Sequence, residues 1–136
     1  MATKKNLNRN TVRMLRKVQR FLMEEPKRFN MCEGIADSLG LRGQLDQPPC
    51  GTACCIAGAM FIIDTGMPLN RTSVSRTKVL DTVVKKYIKN NWSTLFYTDS
   101  WPMLYRIAYS NTKIPLERAC IGVARIEHFI ATDGRE

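Results

Sequence analysis

The stretch from Pro48 to Gly66 constrains the fold more than any other part of this chain. Pro48-Pro49-Cys50-Gly51 reads as a loop, and Thr52 is placed to cap a helix that Gly66 would end. Between them lie Ala53, Cys54, Cys55, Ile56, Ala57, Ala59, Met60, Phe61, Ile62 and Ile63, so the predicted helix over 53–65 is apolar on nearly every side. Such a helix belongs in the middle of a domain, because no face of it is suited to water. Gly58 and the alanines would let neighbouring helices approach it closely. The run Ile56–Ile63 is interrupted by Gly58 and falls well short of the ~20 apolar residues that cross a bilayer.

The segments around it are also helical in pattern. Asn10 or Thr11 is placed to cap a first helix running to about Glu25, where Pro26 stops it. Its positions Val12, Leu15, Val18 and Leu22, with Met14 and Phe21 beside them, repeat at the spacing of one buried face. Phe29 and Met31 read as core anchors, and a short helix over 32–39 ended by Gly40 leads into a loop over 41–49. Ser73 is a cap for a helix to about Lys89, with Val74, Leu80, Val83, Val84, Tyr87 and Ile88 inward, broken by Asn90-Asn91. A turn carrying Trp92, Leu95, Phe96 and Tyr97 follows. Ser100-Trp101-Pro102 opens a further helix whose inward face is Leu104, Ile107 and Ala108. The last helix begins near Pro115 and carries Leu116, Ala119, Val123, Ile126 and Ile130 on one side, ending at Ala131-Thr132.

No strand-like alternation or internal repeat interrupts this pattern. The expectation is an all-α chain: a compact single-domain bundle of about five to seven helices around the buried Cys-rich helix. The domain spans 10–132, with 1–9 a flexible basic N-terminus and 133–136 a C-terminal tail. A basic start with no apolar core behind it does not read as a signal peptide, so a soluble, cytoplasmic protein is expected, with no membrane partner.

Charge is the second constraint. The chain has 21 Lys and Arg against 12 Asp and Glu, a net charge of +9. Lys4, Lys5, Arg9, Arg13, Arg16, Lys17, Arg20, Lys27 and Arg28 crowd the first fifth, opposed by Glu24 and Glu25. Arg71, Arg76, Lys78, Lys85, Lys86 and Lys89 form a second cluster opposed by Asp81. Such asymmetry favours a polyanionic partner. Arg9, Arg13, Arg16, Lys17 and Arg20 with Lys78, Lys85, Lys86 and Lys89 are the candidate contacts to nucleic acid or an acidic protein surface. Gln19 is the one side chain of the first helix's polar side suited to reading a base. The commoner role for such cations is a solvated helix face.

Five cysteines cannot all pair within one chain, and without a secretion signal reduced thiols are the default. The string Cys50-Gly51-Thr52-Ala53-Cys54-Cys55-Ile56-Ala57-Gly58 resembles a Cys-Gly-Thr-x-x-Cys-Ile-Ala-Gly motif found in a group of small, uncharacterised bacterial and phage-borne proteins. Leu95-Phe96 with Trp101-Pro102, and Arg125-Ile126-Glu127-His128-Phe129-Ile130, are similar to that group's downstream pattern, so the resemblance covers most of residues 50–130. Where the group commonly has an aromatic after the final Gly, this chain has Ala59. The resemblance implies a compact helical domain and carries no activity.

Three uses of the cysteines follow from their chemistry. Cys50, just before the predicted helix start, is a candidate nucleophile whose thiolate the helix dipole would stabilise, with His128 as base and Gln47 as an oxyanion donor. The string from Gln47 to Cys54 resembles in part the papain-like Gln…Cys-Gly-Ser-Cys-Trp signature, with spacing off by one residue and no Trp. Alternatively Cys50 and Cys54 share a helix face as metal ligands, completed by two of Cys32, Cys120 and His128, although zinc sites usually show two short Cys pairs. Thirdly, Cys54, Cys55 and Cys120 serve as small buried apolar groups, Cys120 near the inward face of the last helix. The third use is preferred on composition. The functional expectation is therefore a small non-enzymatic binding or accessory protein with a basic surface and no cofactor. A Cys50–His128 enzyme is the alternative, and a metal or redox sensor the third choice.

Overall fold

A computed structural model describes residues 6–29, 31, 55–66 and 76–136, apart from the side chains of residues 28, 76 and 77. It contains six α-helices and no strand among the described residues: α1 (Arg9–Glu24), α2 (Ile56–Thr65), α3 (Arg76–Lys86), α4 (Trp92–Phe96), α5 (Met103–Asn111) and α6 (Pro115–Ala131). Short 3-10 turns occupy Pro26–Arg28 and Thr98–Ser100. The all-α, single-domain expectation holds. The expected helix over 32–39, the loop over 41–49, and the Thr52 and Ser73 caps lie outside the described residues.

α1 lies along α6, and α2 packs against α1, α3 and α4. Leu15, Val18 and Leu22 of α1, Ile56, Ala59 and Met60 of α2, and Ala119, Ile126 and Phe129 of α6 are all sealed from solvent. Ile56 to Phe61 are buried without exception, as an all-round apolar helix requires. The cap of α2 is Cys55, whose Sγ accepts the Gly58 amide at 3.3 Å, and Gly66 ends the helix in the left-handed region at φ 68°.

α1 begins two or three residues earlier than expected because Asn8 is its cap. The Asn8 Oδ1 accepts the Thr11 amide at 2.8 Å. Residues 6–9 consequently lie against the domain. The amides of Asn6 and Leu7 donate to the two carboxylate oxygens of Asp133, at 2.8 and 3.0 Å, and the Leu7 side chain is only 6% exposed. At the far end, Gly134 N–H donates to Phe129 O and Asp133 N–H to Ile130 O, the paired bonds of a Schellman cap with Asp133 left-handed at φ 54°. Residues 133 and 134 thus close α6, and Asp133 holds the N-terminal segment.

Two buried faces differ from the expected ones. In α5 the inward residue is Tyr109, whereas Leu104 is 77% exposed and Ile107 is also exposed. Tyr109 is drawn inward by the edges of Phe29 and Trp101, with centroids at 6.0 and 5.6 Å, and its hydroxyl accepts the Met31 amide at 2.7 Å. In α6 the buried residues are Ala119, Gly122, Arg125, Ile126 and Phe129, which rotates the core face by about 75° from the expected one at 100° per residue. Leu116 and Cys120 fall outside it and are exposed.

Gly122 decides that rotation. A Cβ there would lie 2.7 Å from the Phe29 ring and 3.1 Å from Leu22. Gly122→Ala therefore trades a helix-propensity gain of up to ~1 kcal/mol against overpacking of ~1–3 kcal/mol, and should destabilise by about 1 kcal/mol in urea unfolding. Adding Phe29→Leu should make the Ala substitution less costly than it is alone; strict additivity of the two would refute the clash.

Candidate functional site

The two basic clusters meet in one place. Asn8, Asn10, Arg13, Met14 and Lys17 from the start of α1, and Lys86 and Tyr87 from the end of α3, line an open groove of about 240 Å³. Thr11 fastens the two walls: its hydroxyl donates to the Tyr87 carbonyl at 2.6 Å while also touching the Asn8 Oδ1 at 3.0 Å. The α3 wall is fixed from below by Asp64 of α2. That carboxylate accepts from the Lys86 Nζ at 2.7 Å and from the Tyr87 hydroxyl at 2.5 Å, and its side chain is only 11% exposed.

These bonds set the protonation of the wall. The hydrogen bond from Lys86, then that from Tyr87, holds the Asp64 carboxyl below the usual carboxylate range. Burial first, and the Asp64 carboxylate second, push the Tyr87 phenol up to about 12. The groove therefore presents a neutral phenol at neutral pH, beside the Lys86 that pairs with Asp64. Met14 is 6% exposed at the groove's base.

The candidate cations divide into two kinds. Arg9, Arg13, Lys17, Arg20 and Lys89 are exposed and make no ion pair with a described residue. Positions 9, 13, 17 and 20 stand on one side of α1, so this is a ridge about 16 Å long at 1.5 Å per residue. The rest are engaged. Lys85 pairs with Asp81 at 3.3 Å on its own helix, and Lys86 pairs with Asp64. Lys78 is exposed and also has an interaction of its own.

Arg16 is a strut rather than a free cation. Its Nη1 bonds to Glu127 of α6 and to Gln19 Oε1 at 3.0 Å. Gln19 does not read a base: it is buried, and its amide donates to the Val123 carbonyl at 3.1 Å. Helical spacing puts Gln19 between Val12 and Leu15, on the apolar arc of α1, and that was the signal for its inward role.

The thiol and metal sites find no assembly among the described residues. Cys50, Gln47, Cys32 and Cys54 lie outside them. Cys120 and His128 are two helical turns apart on α6, about 12 Å along its axis. Among the described residues no three His, Cys, Asp or Glu side chains converge to hold a metal ion. The His128 ring stacks at a tilt on Tyr105 with centroids 5.4 Å apart, and its Nε2 is buried 3.9 Å from Glu136, too far for the hydrogen bond that would orient a catalytic base.

One charged residue that sequence reading did not single out is Arg125. It is completely buried in α6; Nη2 donates to the Thr94 carbonyl at 2.8 Å, while Nε and Nη1 have no hydrogen-bond partner. Burial lowers its pKa to about 10, opposed by Tyr105 and Glu136 nearby. The Tyr105 and Phe129 rings stand 5.8 and 5.9 Å from its guanidinium carbon. Its work is structural: it pins α4 to α6.

No protein-family profile, curated protein or solved structure matches this chain. No helix among the described residues is long and apolar enough to cross a membrane.

Two predictions follow from this geometry. A phenol whose pKa is raised from 10 to about 12 in the folded state contributes stability fully present below pH 10 and lost between 10 and about 12. Tyr87→Phe should therefore cost stability at pH 9 and less at pH 11.5, measured as the difference in urea midpoint from the parent. A gap independent of pH would remove the Tyr87–Asp64 bond as its cause. Secondly, Cys55 caps α2, and Ser is among the preferred caps. Cys55→Ser should be neutral or stabilising, whereas Cys55→Ala should lose about 0.5–2 kcal/mol; the reverse order in thermal unfolding would refute the capping role.

Proposed function

We propose that this is a small non-enzymatic binding protein that holds nucleic acid, or a nucleic-acid-bound assembly, on the groove between α1 and the end of α3. One observation carries the proposal. Arg13 and Lys17 on one wall and Lys86 on the other, far apart in sequence, line the same concave site. Arg9, Arg20 and Lys89, which make no ion pair with a described residue, extend the positive surface outside it. Phosphate-rich polymers fit this arrangement because each neutralised phosphate releases counterions, which is favourable at low and moderate salt.

The same reading explains why the amides of Asn8 and Asn10 stand beside the cations. Neutral donors next to Lys and Arg are common partners of phosphate and sugar oxygens, and they fix register without reading sequence.

The test is fluorescence anisotropy with labelled oligonucleotides across a salt series. The logarithm of affinity should fall linearly with the logarithm of salt. The slope should drop by about 0.7–0.9 for each of Arg13→Gln and Lys17→Gln. Helicity should be unchanged, since both side chains are exposed. Oligonucleotide binding with a slope that neither substitution alters would place the contact elsewhere, and no binding at low salt would end the proposal.

A further inference from the structure

The groove is shaped for more than phosphate, and this inference rests on the polyanion reading above. A surface that only tracks a backbone needs a ridge of cations, which α1 already supplies outside the groove. The groove adds a concavity that Tyr87 helps to line. Tyr87 is half-buried with its hydroxyl committed to Asp64, which leaves its ring as the surface on offer. Cations stand on both rims, and Lys86 Nζ lies 5.7 Å from the Tyr87 ring centroid.

We propose that the ligand is single-stranded nucleic acid, and that one unstacked base enters this groove against Tyr87 while its flanking phosphates lie on Arg13 and Lys17 on one side and Lys86 on the other. A groove of about 240 Å³, open on one side, has room for a single planar ring system. Duplex DNA keeps its bases stacked inside and offers the groove only a convex backbone, so it would leave Tyr87 uncovered. A single strand turns its bases outward, and a base on an aromatic ring is favourable whatever the base, so little sequence preference is expected. Asn8 and Asn10 stand at the rim, where amides meet the edges of an inserted base.

Anisotropy with the intact protein tests this using four probes of equal phosphate number: oligo-dT, oligo-rU, an abasic deoxyribose-phosphate oligomer and a DNA duplex. Oligo-dT or oligo-rU should bind about tenfold more tightly than the abasic strand at the same salt. A preference for dT or rU over the other assigns DNA or RNA as the source. The duplex should bind no better than the abasic strand. Tyr87→Leu should narrow the dT-to-abasic ratio while leaving abasic binding within about twofold, with circular dichroism confirming the fold. Equal binding of dT, rU and abasic strands would overturn the base-insertion proposal and leave the polyanion reading standing. Binding of none of the four would end that reading first. Should Tyr87→Leu fail to fold, the ratio in the parent protein still decides.

Discussion

The seating of α1 along α6 is the interaction on which the rest of the structure depends. It is secured at three heights by different chemistry. The Asp133 carboxylate holds the amides of Asn6 and Leu7 at one end, where the Schellman cap of α6 aims it. Half-way along, Arg16 reaches Glu127, and Gln19 reaches the Val123 carbonyl. At the far end Gly122 leaves room for Phe29 and Leu22, so the turn after α1 is drawn against α6 by a missing side chain. The apolar seam between these points supplies most of the free energy, because Leu15, Val18, Leu22, Ala119, Ile126 and Phe129 are fully or almost fully removed from water. The polar contacts fix its register, since each would be lost by a shift of one helical turn.

That seam also decides which cations face solvent. With the apolar arc of α1 turned to α6 and α2, Arg9, Arg13, Lys17 and Arg20 are left on the opposite side, and the first turn of α1 is brought beside the end of α3. Thr11 then joins α1 to the Tyr87 carbonyl, and Asp64 fixes the Lys86 and Tyr87 side chains from α2. The groove lies where the start of α1 meets the end of α3, and its cations come from both: Arg13 and Lys17 from α1 and Lys86 from α3.

Helix type and centrality were legible because periodicity and capping are local. Pro115 and Gly66 mark a start and an end that the structure keeps, and the all-round apolar run marks a helix it keeps buried. Cys55 rather than Thr52 caps that helix, which starts at Ile56, three residues later than expected. What escaped was helix rotation. On α6, the set Leu116, Ala119, Val123, Ile126 and Ile130 gives as clean a stripe as the true face, and counting apolar residues favours it. The true face contains a glycine and an arginine, which hydrophobicity alone scores as gaps. Gly122 belongs there for its lack of volume, and Arg125 because its chain packs among Tyr105 and Phe129 while one nitrogen reaches Thr94. The groove was half legible: both charge clusters stood out, but their meeting depends on how α2 seats α1 and α3, a tertiary fact. Likewise nothing in composition separates Arg16 from Arg13, although Glu127 makes one a strut and leaves the other free.

The acids are placed differently from the cations. Asp64, Glu127 and Asp133 are each tied to a cation or a backbone amide that holds two elements together. Glu127 is held below the usual carboxylate range by Arg16 first and Gln19 second, so it stays ionised in this role across the neutral range. These acids are committed to holding elements together, whereas Arg9, Arg13, Lys17 and Arg20 face solvent and make no ion pair with a described residue. Like charges along α1 repel one another, which opposes folding, and the apolar seam with α6 outweighs that repulsion.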